Sequence, residues 1–105
     1  MVEVQVNPGV CGLRSEIKVE AAGRKAVKID FKTACPTLKP LEEELKEADP
    51  YKVALSKYGE NEIFEMAKKY CKHAACPVPS AIIKGIEAAA GLALPRDVDF
   101  KISKV

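Results

Sequence analysis

Four cysteines and a single histidine are the residues of this chain best equipped for chemistry. Cys11 sits in Pro8-Gly9-Val10-Cys11-Gly12, Cys35 in Ala34-Cys35-Pro36, and Cys71, His73 and Cys76 share Tyr70-Cys71-Lys72-His73-Ala74-Ala75-Cys76-Pro77. Thiolates and neutral imidazole are the forms that ligate soft and borderline metals, so this set points to zinc or an iron–sulfur cluster. Cys35-Pro36 and Cys76-Pro77 each precede an expected helix start, where free backbone N–H groups stabilise a thiolate. The glycines around Cys11 let backbone amides approach its sulfur closely. No C-x2-C knuckle is present, and the Cys71/Cys76 and His73/Cys76 spacings are each a weak chelate signal. Cys71 or His73 is therefore left open as the ligand that completes a set of Cys11, Cys35 and Cys76. An all-cysteine set favours a cluster, whereas inclusion of His73 favours zinc.

Each residue has a plainer reading. Cys71 falls on the apolar face of its helix and packs well as a small hydrophobe. His73 can cap a helix C-terminus with its charge. Cys11, Cys35 and Cys76 could form disulfides with one another, and a metal-free, thiol- or disulfide-braced structural or interaction domain is the alternative to the metal site. Lysine far outnumbers arginine and amides are few, a balance seen in heat-adapted proteins, in which intracellular disulfides are common.

The elements that must position these residues follow from periodicity. Val2, Val4 and Val6 alternate with Glu3 and Gln5, the pattern of a half-buried strand stopped by Asn7-Pro8-Gly9. Ile17 and Val19 continue the alternation, Ala22-Gly23-Arg24 reads as a hairpin turn, and Val27, Ile29 and Phe31 give a third strand. Leu38, Leu41 and Leu45 then share one helical face, with Pro40 in the first turn. Asp49-Pro50 caps a short helix ending near Gly59, and Asn61 caps the next, which carries Ile63, Phe64, Ala67, Tyr70 and Cys71 inward. A last helix runs through Ile82, Ile83 and Ile86 to Gly91, and Val98, Phe100 and Ile102 alternate as a final strand. The order βββαααβ specifies a single α+β domain over residues 1–105. It is a two-layer sandwich, with helices on one face of a mainly antiparallel four-stranded sheet.

Chain reversals then locate the cysteines. In a three-strand meander the first and third strands end at the same sheet edge, and Cys11 and Cys35 follow those ends. A descending helix after Cys35 and an ascending helix from Asn61 return the chain to that edge at Cys71, His73 and Cys76.

Composition narrows the function classes. In 105 residues, 17 basic side chains face 15 acidic ones for a net charge of +2, too little to make nucleic acid or an anionic membrane the default partner. Three Tyr, three Phe and no Trp supply no base-stacking stripe. No long apolar run can span a bilayer, and Met1-Val2-Glu3-Val4-Gln5-Val6 lacks the features of a secretory signal, so the expected location is cytoplasmic. The remaining partner classes are another protein, a small molecule or a second copy of this chain, for which the small residues Ala88 to Ala90 offer a dimer face if the domain's own sheet does not cover them. One histidine and no phosphate-cradling glycine loop leave no persuasive catalytic constellation beyond a His73/Cys76 pair of unproven geometry.

At Val6-Asn7-Pro8-Gly9-Val10-Cys11-Gly12 and Lys72-His73-Ala74-Ala75-Cys76-Pro77-Val78-Pro79, the chain resembles a family of small uncharacterised prokaryotic proteins, found mainly in archaea and anaerobic bacteria. The likeness extends through Ile86-Glu87-Ala88 and Leu92-Ala93-Leu94-Pro95. It implies a self-contained domain with no assigned reaction, and it places Cys11, Cys35, His73 and Cys76 in the family's distinctive stretches.

Overall fold

The computed structural model describes residues 1–105 as an antiparallel sheet with helices on one face. Strands β1 (Val2–Val6), β2 (Ser15–Ala21) and β3 (Val27–Thr33) form the expected meander, and β4 (Glu47–Ala48) completes a sheet of order β1-β2-β3-β4. Alternation sets the buried face: Ile17, Val19, Val27, Ile29 and Phe31 point inward while Lys18, Glu20, Lys28, Asp30 and Lys32 face solvent. The β2–β3 turn closes through the Ala22 N–H donating to the Ala26 carbonyl at 2.9 Å, with Gly23 at a φ of 104° that a Cβ would strain.

The four helical segments read from the pattern are all present, one more than the order βββαααβ counts: α1 (Leu41–Glu44), α2 (Pro50–Ala54), α3 (Glu62–Tyr70) and α4 (Val78–Ala89). Leu38, Leu41 and Leu45 are all buried as their spacing required, but consecutive turns and a single helical turn bring them there instead of one long helix. The caps fall where expected. Asp49 accepts from the Tyr51 N–H at 3.0 Å, and Asn61 accepts from the Phe64 N–H at 3.0 Å. Helix α4 ends in paired bonds, Gly91 N–H to the Ala88 carbonyl and Leu92 N–H to the Glu87 carbonyl, with Gly91 at a φ of +77°.

The fourth strand is a correction to the expected element order. Val98, Phe100 and Ile102 form no strand, every residue from Gly91 to Val105 is exposed, and Glu47–Ala48 pairs with β3 in its place. Alternation specifies which faces a segment could present, but a strand also needs a paired edge.

Helix α4 lies on β1 and β2, where Gly85 allows close approach: a Cβ there would stand 3.0 Å from Val4 Cγ2 and 3.2 Å from Val19 Cγ2. The inward rows of β2 and β3 end in the register pair Ser15 and Thr33, whose buried hydroxyls share a 2.8 Å hydrogen bond. Thr33 N–H donates to Glu42 Oε2 at 2.9 Å, so a side chain from α1 satisfies the end of β3. That N–H, together with Lys39, holds the Glu42 carboxyl below the usual carboxylate range. The contribution is present above the unfolded carboxyl's pKa and is lost as pH falls through the lower folded value. Glu42→Gln is therefore expected to lower the urea midpoint at pH 7, with the gap to wild type closing as both proteins are titrated towards pH 3.

Candidate functional site

The sheet edge at which β1 and β3 end carries the cysteine-bearing segments. Val6 pairs with Ser15 and Ser15 with Thr33, so the β1–β2 loop and the segment after β3 leave the sheet side by side, joined by Ala34 N–H donating to the Arg14 carbonyl at 2.9 Å. Helix α3 then brings Cys71 to its C-cap, and Cys76 directly precedes Pro77, the N-cap of α4.

Three of the four cysteines, Cys35, Cys71 and Cys76, are half-buried and pack against the same hydrophobic core. Cys35 is held by its backbone N–H donating to Thr33 Oγ1 at 3.1 Å, and its Sγ lies 3.2 Å from Thr37 Oγ1. Burial pushes the Cys35 thiol up, but the Thr37 hydroxyl and the backbone N–H groups of Leu38 and Thr37 outweigh it, so its pKa lies below the ordinary thiol value. No helix starts directly after Cys35 as expected, since α1 begins at Leu41, but the N–H groups of the intervening turn favour its thiolate in the same way.

At Cys76 the same expectation is reversed. Burial pushes its pKa up to about 11, against a pull downward from the Val78 N–H, with further upward contributions from Cys71 and from the negative charge that Cys35 carries as thiolate. A thiol at the start of a helix gains from nearby N–H groups, but desolvation and two neighbouring sulfurs exceed that gain. At pH 7.5 a thiol of pKa 11 has about a hundredfold less thiolate than one of pKa 9, and the lower nucleophilicity of the more acidic thiol reduces this to about tenfold in rate. Iodoacetamide is thus expected to label Cys35 at least about tenfold faster than Cys76 in the native chain, and equally after denaturation, by peptide mass mapping.

The other two residues of the sequence-derived set stand apart. Cys11 is exposed in a turn closed by Gly12 N–H donating to the Gly9 carbonyl at 3.0 Å, on the same edge but outside the packed trio. His73 is exposed, and its main chain serves the site: its carbonyl accepts from Cys76 N–H at 3.1 Å and faces Cys71 Sγ at 3.5 Å. All four cysteines are free thiols, and as placed no three His, Cys, Asp or Glu side chains form a group that could hold a metal ion.

Glu44 of the acidic run and Lys69 and Tyr70 of α3 tie α1 to α3. Glu44 accepts from the Tyr70 hydroxyl at 2.7 Å and pairs with Lys69, which lowers the Glu44 pKa and raises those of Lys69 and Tyr70. This contact lies one residue from Cys71 and fixes the end of α3 that carries it. Its signal is absent from the local pattern, because 26 positions separate Glu44 from Tyr70.

No helix is long and apolar enough to cross a membrane. No curated protein and no solved structure matches the chain. A sequence family matches residues 2–102, nearly the whole length, as the end-to-end resemblance implied. The chain belongs to that family, a family of unknown function (DUF6951).

Proposed function

We propose that the protein binds a thiolate-ligated metal centre, zinc or an iron–sulfur cluster, through Cys35, Cys71 and Cys76 with Cys11 as the fourth ligand. The observation that carries this reading is the nearness of Cys71 and Cys35 to Cys76, whose pKa both raise, with all three cysteines half-buried against the same core. A cation is the natural relief for thiolates that oppose one another's ionisation. Cys71 is preferred to His73 as the completing ligand because its side chain reaches Cys76 and raises its pKa, whereas His73 is exposed. Assembly would require Cys35 Sγ to turn from Thr37, Cys71 Sγ to turn from the His73 carbonyl, and the Gly9–Gly12 loop to fold Cys11 over the trio. The loop's positive-φ glycines, at 92° and 65°, suit a tight wrap around a metal. The four-sulfur set favours the cluster over zinc.

A second reading has a specific observation behind it. The opposite pKa directions of Cys35 and Cys76 resemble an attacking and a resolving thiol, which would make the site a metal-free dithiol responding to redox state. Anaerobic purification without an affinity tag, followed by absorption spectroscopy and elemental analysis for iron, zinc and sulfide, separates the two. Iron with sulfide and a broad visible band, or zinc near one per chain, supports the metal centre. A colourless, metal-free protein that takes up nothing on reconstitution overturns it and leaves the dithiol.

A further inference from the structure

We infer that two copies of this chain associate by exchanging their C-terminal segments, Asp97–Ser103 of each adding as an antiparallel strand to the free edge of β1 in the other. The two edges of the sheet are not alike. On the β3 side, β4 pairs with Val27 and Lys28, Ile29 N–H donates to the Lys46 carbonyl, and Glu42 accepts from Thr33 N–H, so that edge is covered at both ends of β3. On the other side, β1 pairs only with β2 and presents an uncovered row of backbone groups with neither a proline nor a bulge to block addition. Its inward residues Val2 and Val4 are only half-buried, as is Ala81 on the adjoining helix α4. A missing strand at this edge would cover Val2 and Val4.

The C-terminal segment has the complementary form. No hydrogen bond ties residues 93–105 to the body, and Val98, Phe100 and Ile102 are 54%, 79% and 92% exposed, although they alternate with Asp97, Asp99, Lys101 and Ser103 as a one-faced strand does. Three large apolar side chains in strict alternation define a face to be buried.

Charge selects the direction. In the antiparallel register, Ile102, Phe100 and Val98 stand opposite Val2, Val4 and Val6 on the core side, while Lys101 meets Glu3 and Asp99 meets Gln5 on the solvent side. In a parallel register that keeps the apolar row together, Asp99 falls beside Glu3, a like-charge pair. Direction in turn selects the second copy. Ala89 and Ala90 lie beside Ala21 and Gly23–Val27, at the Val2 end of β1, so the chain's own tail climbing from there would run parallel to β1. To descend instead, Leu92–Asp97 would have to climb about 17 Å of strand, close to the roughly 20 Å limit of six extended residues, and leave nothing for the reversal. A two-fold partner supplies the antiparallel strand directly.

Sedimentation equilibrium of the full chain in reductant, across micromolar to millimolar protein, should show a monomer–dimer equilibrium. Truncation after Leu92 should leave a monomer with an unchanged circular dichroism spectrum per folded residue. Glu3→Lys and Lys101→Glu should each weaken the dimer about fivefold to tenfold, and the two together should restore it. Slowed hydrogen exchange of the β1 amides in the dimer would locate the contact. A monomer at every concentration, a dimer that survives the truncation, or a doubly exchanged variant weaker than either single one would overturn the proposal.

Discussion

Cys35→Ser combined with Cys76→Ser is expected to reduce bound metal from about one centre per chain to less than a tenth of that while the fold persists, read by elemental analysis alongside circular dichroism. Neither sulfur is indispensable to packing, because both are only half-buried and serine is close to isosteric. The two differ in what they bring. Cys35 sits among donors that favour its thiolate, so it is ready to bind first, whereas Cys76 holds its proton against desolvation and gives it up only to a cation. Metal uptake should consequently release protons, and apparent affinity should rise with pH between about 6 and 9. If the double variant retained full metal content, the centre would not be thiolate-ligated at this edge. The Cys11→Ser variant provides a graded control: with three sulfurs left, it should retain metal with weakened affinity and an open coordination position.

The placement of the cysteines could be read from sequence because it depends only on counting reversals. Val2-to-Val6, Ile17-to-Val19 and Val27-to-Phe31 show an unbroken period of two, and a meander of three such strands has one geometry. Asp49, Asn61 and Gly91 mark helix ends through local bonds that their side chains or backbone freedom make available, so these too were legible. What escaped was whatever depends on a distant partner. Strand β4 is two residues long and exists because Val27 and Lys28 pair with it; Glu47-Ala48 alone has no period to detect. Glu42 and Glu44 look like a solvated acidic run until Thr33 N–H and Tyr70 are brought beside them by the fold. The C-terminal alternation was legible as a strand face, but its edge could not be specified from one chain's pattern. The ionisation of Cys76 belongs to the same class, because its environment is assembled by β3, α3 and α4 together.

Phe31→Ala is expected to cost about 3–5 kcal/mol of folding stability, a large part of the roughly 5–15 kcal/mol available to a domain of this kind. Phe31 is 1% exposed, stands on the buried face of β3 opposite Ile17, and is the largest of the fully buried side chains. Its truncation opens a cavity beneath the helical layer, two residues before the Thr33 hydroxyl that holds Cys35. A melting temperature lower by some 10–30 °C in chelator would report that cost. The same variant weighs the proposed centre, because a metal that binds only the folded chain stabilises it by mass action, by about 4 kcal/mol at a thousandfold excess over Kd. Zinc, or cluster reconstitution, should then recover much of the lost stability in Phe31→Ala and recover none when Cys35→Ser and Cys76→Ser are added. A recovery that survives removal of both sulfurs would place the binding site elsewhere, while no recovery in either background would favour the metal-free dithiol. The destabilised chain is the more sensitive probe, since a fold near its midpoint converts each kilocalorie of binding into a measurable change in folded fraction.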